Sequence, residues 1–219
     1  MLTPRVIYED NHLLAIDKPP GFLVQGDHTG DRTLTDWARE YLKVRYDKPG
    51  EVFAHPTHRI DRPVSGAVLF ARTSKALERL NAAFRERQVQ KTYAALTLAP
   101  PSLPAATLRH FLLKDEKRNL TSAFSYPKPG AKEAILDYET VGPRGNYWLL
   151  YIKPHTGRPH QIRAQLGAIG APIVGDLKYG ADQPLPDASI RLHSMALELT
   201  HPVRKEPIRI FCEPPWLIS

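Results

Sequence analysis

The sequence predicts an α+β fold with a mainly antiparallel sheet. Stretches with strand character follow one another along the 219 residues, and only three stretches have helical character. Near the C-terminus, apolar residues recur at every second position, as in Met195, Leu197 and Leu199. Strands in runs, separated by a few helices, favour an α+β fold over alternating β-α units.

Eight strands are predicted. The first two are expected to meet at a turn formed by Asp10 and Asn11, and the third is a continuous apolar run typical of a buried strand. The predicted strands are Val6–Tyr8, Leu13–Ile16, Ala67–Ala71, Tyr93–Leu98, Ala134–Val141, Tyr147–Ile152, Arg191–Thr200 and Ile208–Cys212.

Three helices are predicted from capping signals and apolar spacing. The first begins at Thr33, and Asp36 completes a capping box. The second begins at Thr73–Ser74. The third has Pro159 in its first turn and stops at Gly170. The expected apolar faces are Leu34, Trp37, Ala38, Tyr41 and Leu42, then Leu77, Leu80 and Phe84, then Ile162, Leu166 and Ile169.

Composition narrows the class of partner. A net charge of +7 indicates a polyanion, because Lys and Arg contacts to phosphates dominate nucleic-acid affinity. A hydrophobic content of 42% supports a core for one large domain or two small lobes. The single cysteine, Cys212, and the lack of a secretory signal or a membrane-length apolar stretch favour the cytoplasm, and a monomer is expected.

The segment His58–Gly66 places a carboxylate at a turn before the third predicted strand. Asp61 lies close to both Arg59 and Arg62. Nearby positive charge favours the ionised form of a carboxyl group, and an ionised Asp can act as a nucleophile or a base. The same pattern is also typical of an Asp that fixes a turn and pairs with an Arg.

Further motifs follow in order, at Lys91–Tyr93, Gly157–Arg163 and Gly175–Gly180. Together with His58–Gly66 they resemble the RluA-type pseudouridine synthases, which carry His-Arg-Leu-Asp-x-x-Thr-Ser-Gly, Lys-x-Tyr, Gly-Arg-Thr-His-Gln-Ile-Arg and Gly-Asp-x-x-Tyr-Gly. The resemblance extends from Asp17 to Pro202. The departures, which concern substrate preference and not reaction type, include Ile60, Val64 and Pro159.

The resemblance implies a long mixed sheet with flanking helices and a central active-site cleft. It implies conversion of uridine to pseudouridine in structured ribosomal or transfer RNA, without a cofactor. Because the catalytic pattern begins almost at Met1, residues 1–219 are expected to form a single catalytic domain without a separate N-terminal RNA-binding module.

The resemblance also assigns residues. Asp61 is expected to be the catalytic group, with Arg163 as its charge partner. Arg59 is expected to enter the RNA stack and stabilise a flipped-out nucleotide, and Tyr93 to stack on uracil. Arg59, Tyr93 and Arg163 are thus the predicted substrate-binding residues.

Two other functions are considered. A non-catalytic RNA-binding protein of the same fold is expected to lack Asp61 or Arg163, and both are present. A glycosidase-like hydrolase needs a second carboxylate, for which Asp176 is the nearest candidate, although a role in fixing a loop fits it better. No metal site is expected, because the histidines have no nearby Cys and no His-Glu-x-x-His.

Overall fold

A computed structural model describes residues 3–26 and 30–217. It divides into two compact units, the first formed by Met1–Gln90 with Ser194–Ser219 and the second by Lys91–His193. Eleven strands and three α-helices lie in the described ranges, which confirms the α+β class. The expectation that residues 1–219 form a single catalytic domain stays a prediction.

The elements are as follows. The strands are β1 (Arg5–Glu9), β2 (Leu13–Lys18), β3 (His55–Pro56), β4 (Ser65–Ala71), β5 (Gln90–Thr97), β6 (Ala105–Asp115), β7 (Leu120–Phe124), β8 (Lys132–Arg144), β9 (Tyr147–Pro154), β10 (Leu192–Thr200) and β11 (Pro207–Phe211). The α-helices are α1 (Leu34–Arg45), α2 (Ser74–Arg85) and α3 (Gln161–Ala168), and 3-10 turns occur at Leu177–Tyr179 and Pro215–Leu217.

In the first unit the strand order is β1-β2-β4-β10-β11, and β3 pairs with β4. The β1–β2 turn forms where predicted, because the Asp10 carboxylate accepts hydrogen bonds from the backbone N–H groups of His12 and Leu13, both at 2.8 Å. The core contains alternate residues of β2, β4 and β10 packed against α2. It includes Leu13, Ala15, Ala67, Leu69, Ala76, Leu80, Leu197 and Leu199.

Both predicted helix starts in this unit are confirmed. Thr33 caps α1, and its side chain and that of Asp36 form the reciprocal bonds of a capping box. Thr73 caps α2 by accepting a hydrogen bond from the N–H of Ala76 at 3.2 Å.

In the second unit the strand order is β5-β9-β8-β6-β7, and these neighbours pair antiparallel. Strands β6 and β7 were absent from the sequence-based prediction. Apolar residues lie on both faces of β6, with Leu112 toward one side and Phe111 and Leu113 toward the other, so no period-two pattern marks the strand. Leu112 packs with Ala134 of β8 and Ala164 of α3.

The start of α3 differs from the prediction. His160, in a left-handed conformation with φ of 52°, precedes the first helical residue, Gln161. Pro159 therefore lies before the helix, and its predicted place in the first turn is wrong. The predicted stop is confirmed, because Gly170 adopts a φ of 74° just after the helix. None of the described helices is long and apolar enough to cross a membrane.

Gly66, at the start of β4, lies very close to the backbone of Ser194 in the first unit. Its φ is 113°, and an added Cβ would lie 2.4 Å from the backbone oxygen of Ser194. Gly66→Ala is therefore expected to lower the free energy of unfolding by more than about 2 kcal/mol, measured by chemical denaturation. Gly50→Ala is the matched control, because a Cβ at Gly50 meets no atom within 4 Å. Equal stability of the two variants would contradict the close approach.

Candidate active site

The loop that carries Asp61 is anchored by apolar residues in the first unit. Ile60 and Val64 are buried, with 8% and 2% of their surfaces exposed. In an extended segment neighbouring side chains point to opposite sides. Arg59 is accordingly exposed, and Asp61 is partly buried.

Hydrogen bonds join this loop to β4. The backbone N–H and the hydroxyl of Thr57 both donate to the carbonyl of Leu69 at 2.9 Å. The N–H of Leu69 donates to Nε2 of His58 at 3.1 Å. The N–H of Val64 donates to the carbonyl of Asp61 at 3.0 Å and closes a turn around the carboxylate residue.

Lys18, at the end of β2, ties a second loop to the Asp61 loop. Its side chain is fully buried, and its ammonium group donates to the carbonyl oxygens of Pro19 at 3.1 Å, Phe22 at 2.8 Å and Arg62 at 3.1 Å. An ammonium group has three N–H donors, so all are used. Gly21 adds a backbone hydrogen bond to the Arg62 carbonyl at 2.8 Å.

Burial lowers the pKa of Lys18 to about 7, and the negative charge of Asp61 opposes that shift. The carboxylate of Asp61 therefore favours the ammonium form of Lys18. The guanidinium of Arg62 forms an ion pair with Asp31 at 2.8 Å on the surface.

In the second unit, β5 carries Tyr93. This side chain is 9% exposed, and Tyr93 pairs with Ile152 of β9. Lys91 precedes it by two residues in the same strand, so the two side chains lie on one face. Burial lowers the pKa of Lys91.

Arg163 in α3 is buried. Its guanidinium makes two hydrogen bonds to the carboxylate of Asp176, at 2.7 and 2.9 Å, and lies 5.0 Å from the centre of the Tyr179 ring. A paired carboxylate makes burial of a guanidinium possible. Asp176 thus holds its loop against α3, as predicted. The pairing of Arg163 with Asp61 stays a prediction.

Tyr179 links three elements of this unit. Its hydroxyl accepts a hydrogen bond from the N–H of Thr121 in β7 at 2.9 Å and lies 2.7 Å from Nδ1 of His160. Burial is the main cause that raises the pKa of Tyr179. A Cβ at Gly167 would lie 2.6 Å from the carbonyl oxygen of Tyr179, so α3 needs a glycine there.

The segment before α3 is fixed to β8. The hydroxyl of Thr156 donates to Oε1 of Gln161 at 2.7 Å, and the backbone N–H of Arg158 donates to the same oxygen at 3.0 Å. The N–H of Ile135 donates to the Thr156 hydroxyl at 2.9 Å. These bonds give the Gly157–Arg163 motif a defined backbone.

The structure thus places Asp61 and Arg59 in the first unit and Tyr93 and Arg163 in the second.

The sequence-based prediction gave no role to Lys18 or Tyr179. A lysine in β2, two residues after the apolar run Leu13–Ile16, was the available signal for Lys18, because an unpaired charge is rare inside a core. Tyr179 lies in the Gly175–Gly180 motif, but its contacts depend on tertiary structure.

Comparison with known proteins adds a finding independent of these contacts. A family profile described as RNA pseudouridylate synthase matches residues 12–168. The chain belongs to this family. The protein is therefore an RNA pseudouridine synthase, as the motifs predicted.

Relatives of this family match along most of the chain. The tRNA pseudouridine synthase C of Pasteurella multocida is 31% identical over 95% of this chain and 90% of its own length. The ribosomal large subunit pseudouridine synthase C of Rickettsia prowazekii is 32% identical over 100% of this chain and 71% of its own length.

A solved structure confirms the fold. The human RNA pseudouridylate synthase domain containing 4 protein has a TM-score of 0.80, with 24% identity over 97% of this chain and 89% of that chain. At 24% identity, this similarity is evidence for the fold alone.

Lys18→Met tests the hydrogen bonds of the buried ammonium. The carbonyls of Pro19 and Phe22 lose that donor, whereas the carbonyl of Arg62 keeps the N–H of Gly21. The free energy of unfolding is therefore expected to fall by roughly 1–3 kcal/mol for each carbonyl left unsatisfied. Between pH 7 and its ordinary value, 10.5, the unfolded chain binds more protons at Lys18 than the folded protein. The stability difference from wild type should therefore grow as pH rises through this window, as measured by denaturation at several pH values.

The control is Lys75→Met, because Lys75 is exposed in α2. Its stability should stay within about 0.5 kcal/mol of wild type. A Lys18→Met variant as stable as the Lys75→Met variant would rule out the structural role of the ammonium.

Proposed function

We propose that the protein isomerises specific uridines to pseudouridine in structured transfer or ribosomal RNA, with Asp61 as the catalytic group. The observation that carries this proposal is the family match over residues 12–168, which includes Asp61, Tyr93 and Arg163. The names of the Pasteurella and Rickettsia relatives support transfer and ribosomal RNA as substrate classes. The contacts of the Asp61 loop support the assignment, because they give the carboxylate a fixed backbone.

The reaction exchanges one bond to the sugar for another. The bond between N1 of uracil and C1′ of ribose breaks, the base turns, and a bond forms between C5 and C1′. C5 loses its proton and N1 gains one, so atoms and electrons balance without a cofactor. Asp61 either attacks C1′ or helps to form a glycal by steering a proton, and both routes stay open.

The remaining residues act on the substrate. We assign Arg59 to the RNA stack, because its side chain is exposed beside Asp61. Tyr93 is assigned to stacking against uracil, since a base-aromatic stack is worth roughly 1–3 kcal/mol. Arg163 is assigned to the substrate site as a fixed guanidinium. A cytoplasmic location and a monomeric state complete the proposal.

Release of the C5 proton gives a direct test. Transfer and ribosomal RNA transcripts made with [5-³H]uridine should lose tritium to water when they are incubated with purified protein. Asp61→Asn should abolish this release while RNA affinity and stability stay near wild type, because the amide keeps the size of the side chain and cannot act as an ionised carboxylate.

Asp47→Asn is the matched control. Asp47 is exposed and has a φ of 45°, a conformation that Asn also tolerates. Release by Asp61→Asn within a few-fold of wild type would exclude Asp61 as the catalytic group. Binding of RNA without any tritium release by wild type would favour the non-catalytic RNA-binding protein.

Arg59→Ala tests the role in base flipping. Unstacking a uridine in a folded stem-loop costs a few kcal/mol and costs less in a flexible strand. The single-turnover rate at saturating enzyme should therefore fall more on a stem-loop than on a short unstructured RNA that contains the same uridine. Arg87→Ala serves as the control for loss of an exposed charge. Equal losses on the two RNAs would leave Arg59 without a flipping role.

Binding should be electrostatic and independent of metal. The net charge of +7 predicts that log affinity falls linearly with log salt concentration, measured by filter binding at several salt concentrations. Tritium release should be unchanged after treatment with a chelator. Affinity that is constant with salt, or inactivation by chelator that zinc reverses, would contradict this prediction.

A further inference from the structure

Lys91 in β5 has an unusual environment for a cation. The residue is partly buried, and burial lowers its pKa. Residues 91–193 are all described, and no hydrogen bond or ion pair joins the Lys91 ammonium to a residue in that range. Lys18 offers the contrast, because its buried ammonium has a carbonyl for each N–H.

The ammonium of Lys91 reaches the surface beside a glycine. A Cβ added at Gly157 would lie 3.9 Å from Nζ, and Gly157 is exposed. Nζ is not among the fully buried polar atoms that lack a partner in the described chain, so it keeps access to solvent. The absence of a side chain at Gly157 leaves this approach open.

We propose that Lys91 binds a backbone phosphate of the RNA next to the nucleotide whose base stacks on Tyr93. The inference rests on the proposed function and adds a second contact to the same site. Lys91 and Tyr93 lie on one face of β5, roughly 7 Å apart along the strand, a separation comparable with the span of one nucleotide. One strand thus offers a ring for a base and a charge for the phosphate beside it.

The electrostatics favour an anionic ligand. A partly desolvated ammonium with no counter-charge among residues 91–193 is unfavourable, and an arriving phosphate supplies that charge. A phosphate also accepts hydrogen bonds from the N–H groups that have no acceptor in this unit. The free protein is therefore less stable than it would be with an apolar side chain at this position, as expected where a residue serves binding.

Three variants distinguish phosphate binding by Lys91 from a role of Lys91 in packing. Lys91→Met keeps the apolar stem and removes the charge, and Lys91→Arg keeps a charge. Lys153→Met, in the exposed part of β9, controls for the general loss of one positive charge. Lys91→Met should melt at the same temperature as wild type or higher. A large fall in melting temperature would indicate a structural lysine and overturn the proposal.

The decisive experiment replaces one phosphate at a time. A stem-loop that contains the uridine located by tritium release is synthesised with a neutral methylphosphonate at each linkage around that uridine. Binding is measured with Asp61→Asn protein, so that no reaction intervenes. At one linkage, the replacement should weaken binding about tenfold, the worth of one charge-assisted contact. The same replacement should have no effect on protein that also carries Lys91→Met.

Equal effects of every replacement on both proteins would overturn the proposal. The slope of log affinity against log salt should also fall by about 0.7 to 0.9 for Lys91→Met, the contribution of one phosphate contact. Lys153→Met should weaken binding to the same extent with or without each methylphosphonate.

A second measurement tests the phosphate site at Lys91 without requiring isomerisation. Lysines are labelled by ¹³C reductive methylation, and the Lys91 signal is identified by its loss in Lys91→Arg. Unfractionated transfer RNA should raise the pKa of Lys91, whereas Lys153 should shift little. If no uridine is isomerised but this shift occurs, the proposed function fails and the phosphate site stands. An unchanged pKa of Lys91 at saturating RNA would reject the site.

Discussion

A buried ammonium group holds the loop that carries Asp61. Lys18 is fully buried at the end of β2, and its three N–H donors bond to carbonyls of two loops, including that of Arg62, the neighbour of Asp61. Burying an ammonium costs several kcal/mol, and roughly 1–3 kcal/mol is lost for each carbonyl left without a donor. The bonds of Lys18 therefore stabilise the loop. The nearby charge of Asp61 favours the ammonium form of Lys18.

In the second unit, an ion pair makes the burial of a cation possible. The guanidinium of Arg163 is buried against the carboxylate of Asp176 and over the ring of Tyr179. Tyr179 is fixed in turn by its hydroxyl, which bonds to β7 and lies beside His160. In both units a cation is held by fixed acceptors before any RNA arrives.

Much of this structure could be predicted from the sequence. Local signals were sufficient for the β1–β2 turn at Asp10 and for the caps at Thr33 and Thr73, because those contacts lie within a few residues of each other. Strand β6 was missed, since apolar residues on both faces erase the alternation that marks a strand. The burial of Arg163 was also missed, because it depends on Asp176, which lies outside the helix.

The roles of the site residues stay predictions, and the contacts that support these residues were not predicted. Motif resemblance assigned Asp61, Arg59, Tyr93 and Arg163, and the family match includes all four positions. The bonds of Lys18 to Arg62 and of Tyr179 to Thr121 join residues 44 and 58 positions apart, which no local pattern reports. Contacts of this range depend on the completed fold, so the sequence alone does not show which groups these side chains bond.

The central claim is that Asp61 converts specific uridines to pseudouridine in cellular RNA. The most direct measurement maps pseudouridines in total RNA from cells that lack the gene, and from the same cells complemented with wild type or with Asp61→Asn. At least one pseudouridine should disappear with the gene, return with wild type and stay absent with Asp61→Asn. An identical set of pseudouridines in all of these cells, or full restoration by Asp61→Asn, would contradict the claim.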